Sequence, residues 1–168
     1  EESLALAKEV NINWSVAGTL ASLGNVALAQ GEHEAARHYY KAALAQATRI
    51  HYELAILAAH SGLAHMALIA QDRAAAARHL RHALEIAVKF RRPSRGREQV
   101  RTISLDLIAG MARWLARTDR ELAVELGALS RDHPWSTGQT RDRTKRLLDE
   151  LQPELSSVAS TDAQARGR

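Results

Sequence analysis

The residues best suited to chemistry in this chain of 168 are its eight histidines, since imidazole can bind a metal, move a proton or activate a nucleophile. His33-Glu34-Ala35-Ala36-Arg37-His38 comes close to the zinc-protease pattern His-Glu-x-x-His. That pattern needs histidines four apart on one helical face, and a spacing of five turns the second away by about 140°. His79 and His82 have a usable spacing, but no third ligand accompanies them. Cysteine is absent, which removes disulfides, thiolate metal sites, Cys nucleophiles and cysteine-held clusters. No Ser/His/Asp set has a nucleophile elbow, no Gly-rich loop follows a strand, and Asp149-Glu150 fall on an exposed helix face. These residues predict a non-enzymatic binding module with no metal and no cofactor, its histidines structural or at the surface.

The charge points to one place. The chain carries 23 Lys and Arg against 19 Asp and Glu. Residues 1–90 and 102–168 are each balanced, so the whole excess lies in residues 91–101, Arg-Arg-Pro-Ser-Arg-Gly-Arg-Glu-Gln-Val-Arg. A nucleic-acid surface would spread its charge over several elements and interleave aromatics for stacking, and only Phe90 is near. The segment reads as a solvated loop, with Arg91, Arg92 and Arg95 as its candidate anion contacts. No direct nucleic-acid partner is expected.

The elements that must position these side chains are helices. Alanine occurs 32 times and leucine 22, while aromatic residues number seven. Alanine and leucine favour helix, and all three prolines (Pro93, Pro134 and Pro153) lie in the second half. No uncharged stretch is apolar enough to suggest a bilayer span. Glu1-Glu2 lacks the basic start of an export signal, so the expected setting is cytoplasmic.

The chain repeats itself every forty residues. Leu23 falls on Leu63, Ala27 on Ala67, Glu32 on Asp72, Ala36 on Ala76 and Leu44 on Leu84; Leu4 extends the series. Repeat 1 (residues 11–50) divides into helix A at 12–30 and helix B at 32–49, with Gly31 as the stop. Repeat 2 (51–90) places helix A at 52–70 and helix B at 72–88. In the two B helices the buried faces are Ala36, Tyr40, Ala43, Leu44 and Ala76, Leu80, Ala83, Leu84. The basic loop at 91–97 precedes a degenerate third repeat (98–133), with helix A at 98–116 and helix B at 120–130. Ser136 is the expected cap of a closing helix at 137–151, within a capping segment 134–155, and it presents Leu147, Leu148 and Leu151 to the stack. Residues 156–168 lack apolar anchors and read as a disordered tail. Residues 1–10 read as the second helix of a truncated repeat, whose Leu4, Ala7 and Val10 would invite self-association. Leu4, Leu44 and Leu84 are expected to stack between successive B helices.

Leu23-Gly24, Ala27, Gly31, Ala36, Tyr40, Ala43 and Leu44 resemble the tetratricopeptide repeat signature, and Leu63, Ala67, Ala76 and Ala83-Leu84 repeat part of it. The resemblance implies an all-α, right-handed superhelix of antiparallel helix pairs with a C-terminal cap. The forty-residue period resembles the C-terminal helical arms of MalT- and LuxR-like STAND regulators. That likeness implies a sensor or effector arm in signal transduction and transcription regulation, binding a protein, a peptide or a small inducer. A stand-alone adaptor scaffold is the alternative. In tetratricopeptide superhelices the A helices line the concave surface, which brings Ala21, Asn25, Ser61, His65, Ile108 and Ala112 toward a ligand. Asn25 matches a position that chaperone-binding members use to hold a peptide carboxylate. The cations of that clamp are missing, because Ala21, Ser61 and Ile108 occupy the candidate positions. The face is small and neutral, suited to an uncharged or weakly polar ligand.

Overall fold

The computed structural model describes residues 2–90, 97–151 and 163–167, with side chains from residue 13 in the first helix and from residue 100 in the fifth. Within them all regular structure is helical, as the Ala- and Leu-rich composition requires. The elements are α1 (Glu2–Ala29), α2 (His33–Arg49), α3 (Glu53–Ile69), α4 (Arg73–Lys89), α5 (Arg97–Leu115), α6 (Arg120–Asp132) and α7 (Gly138–Leu151). None of the described helices is long and apolar enough to cross a membrane.

The first three connections share one turn. Gly31, His51 and Gln71 stand twenty residues apart, and all take a positive φ, of 79°, 54° and 59°. The residue after each sends its N–H back five positions: Glu32 to the Ala27 carbonyl, Tyr52 to Ala47 and Asp72 to Ala67, each at 2.9 Å. This is the 6→1 bond that satisfies the last carbonyls of a helix. Glycine reaches that conformation freely, whereas His51 and Gln71 hold it at a cost of about 1 kcal/mol each. Asp72 caps α4 by accepting from the Ala75 N–H at 2.8 Å, and Asp119 caps α6 by accepting from Leu122 at 3.0 Å.

Helices pack in consecutive pairs, and each even-numbered helix also packs on the next odd one. The odd helices meet one another in series, α1 on α3, α3 on α5 and α5 on α7. Small residues allow the close approach. In α2 the buried face is Ala36, Tyr40, Ala43 and Ala47, and in α4 it is Ala76, Leu80 and Ala83. Leu44 lies on the flank of this stripe, half-buried beside Ala21, Ala43 and Tyr40, and Leu84 is 43% exposed. The expected leucine stack between B helices is therefore not formed. Position 44 sits about 100° around the helix from the buried position 43, so it falls beside the seam.

Tyr40 is the largest fully buried side chain among the described residues, and two glycines make room for it. A Cβ added at Gly24 of α1 would lie 2.6 Å from the Tyr40 ring, and one at Gly62 of α3 would lie 2.4 Å from it. The phenol fixes the ring further by donating to Asn25 Oδ1 at 2.7 Å. Leu80 takes the equivalent place in α4, where a Cβ added at Gly110 of α5 would lie 3.3 Å from it. Overpacking decides the sign of a substitution here. Gly62→Ala is expected to lower stability by about 1–3 kcal/mol, although alanine is the better helix former by about 1 kcal/mol. Gly18, where an added Cβ meets nothing within 4 Å, should show the opposite, with Gly18→Ala raising stability by up to about 1 kcal/mol. Urea denaturation of the two variants checks the pair, and shifts of the same sign would refute the wedge.

Three expectations are corrected at the chain ends. Residues 2–10 are not a separate B helix but the first turns of α1, which runs unbroken to Ala29 because no glycine or proline interrupts it before Gly18. The cap of α7 is Thr137, whose Oγ1 accepts from the Thr140 N–H at 3.1 Å; Ser136 instead donates to the Ser130 carbonyl. Within the segment read as a disordered tail, residues 163–166 form a helical turn. Ala163 is buried against Ala123, Val124 and Leu147, and Arg166 donates to Glu125 at 3.0 Å. The leucines of α7 do pack as expected, with Leu147, Leu148 and Leu151 buried against Ala112 of α5 and Val124 of α6.

Candidate functional site

The four odd helices surround one cleft of about 900 Å³, a size that suits a small organic ligand. Leu28 and Ala29 line it from α1, His65, Leu68 and Ile69 from α3, and Asp106, Ala109, Gly110 and Arg113 from α5. Gln139, Asp142, Arg143, Arg146 and Glu150 line it from α7. The first and last helices of the series meet here, since Gln139 Nε2 donates to the Asn25 carbonyl at 3.3 Å.

Asp106 is the hub of the wall. Its Oδ2 accepts from Ser61 Oγ at 3.0 Å, and its Oδ1 accepts from Thr140 Oγ1 at 3.2 Å and from the guanidinium of Arg143. One carboxylate thus ties α3, α5 and α7 together. Burial lowers the pKa of Arg143, which the nearby Tyr40 partly offsets, and its Nε is buried without a hydrogen-bond partner. A second ion pair, Arg113 with Glu150, closes the other side. Arg146 and Asp142 make no ion pair among the described residues; Arg146 Nε donates to the Asp142 carbonyl at 3.4 Å.

His65 stands half-buried between these cations. Burial, then the charges of Arg143 and Arg113, push its pKa down to about 3, so the imidazole is neutral at physiological pH. A neutral ring keeps one donor and one acceptor to offer a ligand. Paired guanidinium and carboxylate groups, a neutral imidazole and amides beside leucine and isoleucine form a surface that can hold polar groups while covering an apolar body.

Of the six positions expected on the concave face, the structure brings only the His65 side chain to the cleft. Ala21 is buried against Ala43 and Ala59, and Ala112 packs with Ala123 and Val124. Ser61 is buried on Asp106, Ile108 is half-buried outside the lining, and Asn25 is exposed but spent on Tyr40. The reason is steric. Ala21 and Ala59 close the contact of α1 with α3 along its earlier part, so between these two helices the space opens toward their C-terminal ends, at Leu28 and Ala29 and at His65 to Ile69. Arg91, Arg92 and Arg95 lie outside the described residues. Asp106 and Arg143 were missed by sequence reasoning, although a lone acid inside the apolar run Ile103-Ser104-Leu105-Asp106-Leu107-Ile108 is a signal for a buried partner.

The histidines outside the cleft gather elsewhere. His60 and His79 bring their Nδ1 atoms to 2.9 Å, and the His60 and His82 rings lie 5.1 Å apart. Among the described residues, no group of three or more His, Asp or Glu side chains is placed to hold a metal ion. Of the tryptophans, Trp14 and Trp135 are 47% and 38% exposed, and the Trp14 ring stacks on Tyr52 at 5.8 Å. Trp114 is half-buried, donates to the Arg73 carbonyl at 3.3 Å and carries the Arg73 guanidinium 5.0 Å above its ring.

Comparisons of the chain with protein-family models, with curated proteins and with solved structures return no match.

Proposed function

We propose that this chain is a non-catalytic binding module, a right-handed tetratricopeptide-like superhelix that holds a small ligand between its A helices. In this reading α1, α3, α5 and α7 are the A helices, and the chain serves as the sensor or effector arm of a larger signalling or transcriptional regulator. The observation that carries it is a cleft lined by all four odd helices, whose polar wall includes a neutral imidazole and the Asp106–Arg143 ion pair. Buried polar groups cost stability unless they are satisfied, so their concentration at one cleft favours a recognition role over a purely structural one. A ligand contacting the odd helices at once would favour the closed arrangement by its differential contacts, a route for passing a signal along the arm.

The test is a thermal-shift screen of polar small molecules on the chain and on Ala109→Trp, which fills the cleft from α5. Compounds that raise Tm in the parent should fail in the variant, since stabilisation requires binding to the folded cleft. Compounds that stabilise both equally would contradict the reading.

The adaptor alternative draws on a different observation. Val16, Leu23 and Val26 of α1 are each at least 40% exposed. An apolar row of this kind suits a protein partner or a second copy.

A further inference from the structure

A second cavity of about 320 Å³ adjoins the cleft and shares Leu68, Gln71, Arg113 and Glu150 with it. Its remaining walls include Arg73 at the start of α4, Arg117 after α5 and Arg120 at the start of α6. Arg73, Arg113 and Arg117 therefore face one carboxylate of the lining, Glu150, which is already paired with Arg113, while Arg120 has an interaction of its own. Asp72 and Asp119, which precede Arg73 and Arg120 in the chain, are each engaged in capping a helix. Arg73 and Arg117 make no ion pair among the described residues, and the Arg73 guanidinium carbon lies 5.0 Å from the Trp114 ring centroid. A guanidinium over an aromatic face keeps its N–H donors, which can serve an oxyanion in bidentate fashion. The net charge of the chain gives no hint of this patch, because residues 102–168 carry equal numbers of acidic and basic side chains.

We infer that this basic mouth receives the multiply charged oxyanion end, phosphate or carboxylate, of a small ligand whose uncharged part occupies the adjoining cleft. The inference rests on the cleft reading and adds the ligand's chemical class. It also changes the expectation drawn from the sequence, since the neutral face accounts for the body of the ligand and not for its end.

The experiment uses the full chain with Trp14→Phe and Trp135→Phe, leaving Trp114 as the only tryptophan beside the arginines. Pyrophosphate and citrate are titrated at constant ionic strength, with Trp114 emission as the readout. A saturable change with pyrophosphate assigns a phosphate end, one with citrate a carboxylate end, and one with both a general oxyanion site. The triple variant Arg73→Ala, Arg117→Ala, Arg120→Ala should weaken binding by at least about tenfold, as removal of charge partners does. Arg131→Ala, whose side chain is paired with Asp132, should not. Should the triple variant lose helicity, Arg117→Glu alone decides the matter, because Arg117 is exposed. No saturation with either anion overturns the inference, as does equal affinity in parent and variant. Binding of DNA without binding of either small anion overturns it too. If the anions fail while Ala109→Trp still abolishes thermal-shift hits, the cleft reading stands and only the oxyanion end is wrong.

Discussion

Asp106→Ala is expected to lower stability by about 3–5 kcal/mol, the cost of breaking a buried ion pair from one side. The carboxylate accepts from Ser61, Thr140 and Arg143, and the Arg143 side chain is only 17% exposed. Its loss strands a guanidinium whose Nε already lacks a partner. The same physics predicts rescue. Asp106→Leu combined with Arg143→Met removes both charges, and replacing a buried pair by apolar groups of similar volume is often neutral or stabilising. Urea denaturation followed by far-UV circular dichroism measures all three proteins. A single-variant cost below about 1 kcal/mol would place the pair with surface salt bridges, whose loss matters little.

Acid should destabilise the fold well above the range where carboxylates titrate. His65 is pushed down to about 3 by burial and by Arg143 and Arg113. His60 is pushed down to about 4, first by burial and then by His79 and His82. Facing this second group are also Arg78, Lys41 and Asp72 near His79, and Glu85 at 3.5 Å from His82. Both folded-state values lie below the unfolded value of 6.5, so the unfolded chain binds protons first. Stability is therefore full above about pH 7, falls as pH drops through 6.5, and goes on falling until the folded groups protonate near 4 and 3. The loss is on the order of 3–5 kcal/mol from His65 and about 2 kcal/mol from His60, the latter reduced for its contact with solvent. His60→Gln and His65→Gln should flatten the profile of unfolding free energy between about pH 7 and pH 4. An unchanged profile in both variants would contradict the assignment.

The helices were legible because alanine and leucine favour them and because the turns carry markers. Gly31 announced its turn, and the forty-residue period placed Gln71 in the same role. The period also identified the buried stripe of α2 and α4, in which only Leu44 and Leu84 fell outside the seam. The join between residues 10 and 12 was not legible, since periodicity carries a repeat backward whether or not a turn interrupts it. The cleft was harder. Whether Ala21 or Ala29 faces a cavity depends on how closely neighbouring helices approach, and that is set by Ala43 and Ala59 on other elements. Sequence distance hid the rest. Asp106 and Arg143 come together across 37 residues, and Gln139 reaches Asn25 across 114. Neither pair belongs to the repeat pattern.

The claim that the cleft between the odd helices is the binding site is tested most directly by NMR. The isotope-labelled chain is titrated with a compound that raises its Tm. The account predicts that shift changes concentrate at Leu28, His65, Ala109 and Gln139, with the imidazole of His65 among the largest. Changes confined to the exposed row of α1, at Val16, Leu23 and Val26, would contradict it and place recognition on the outer face.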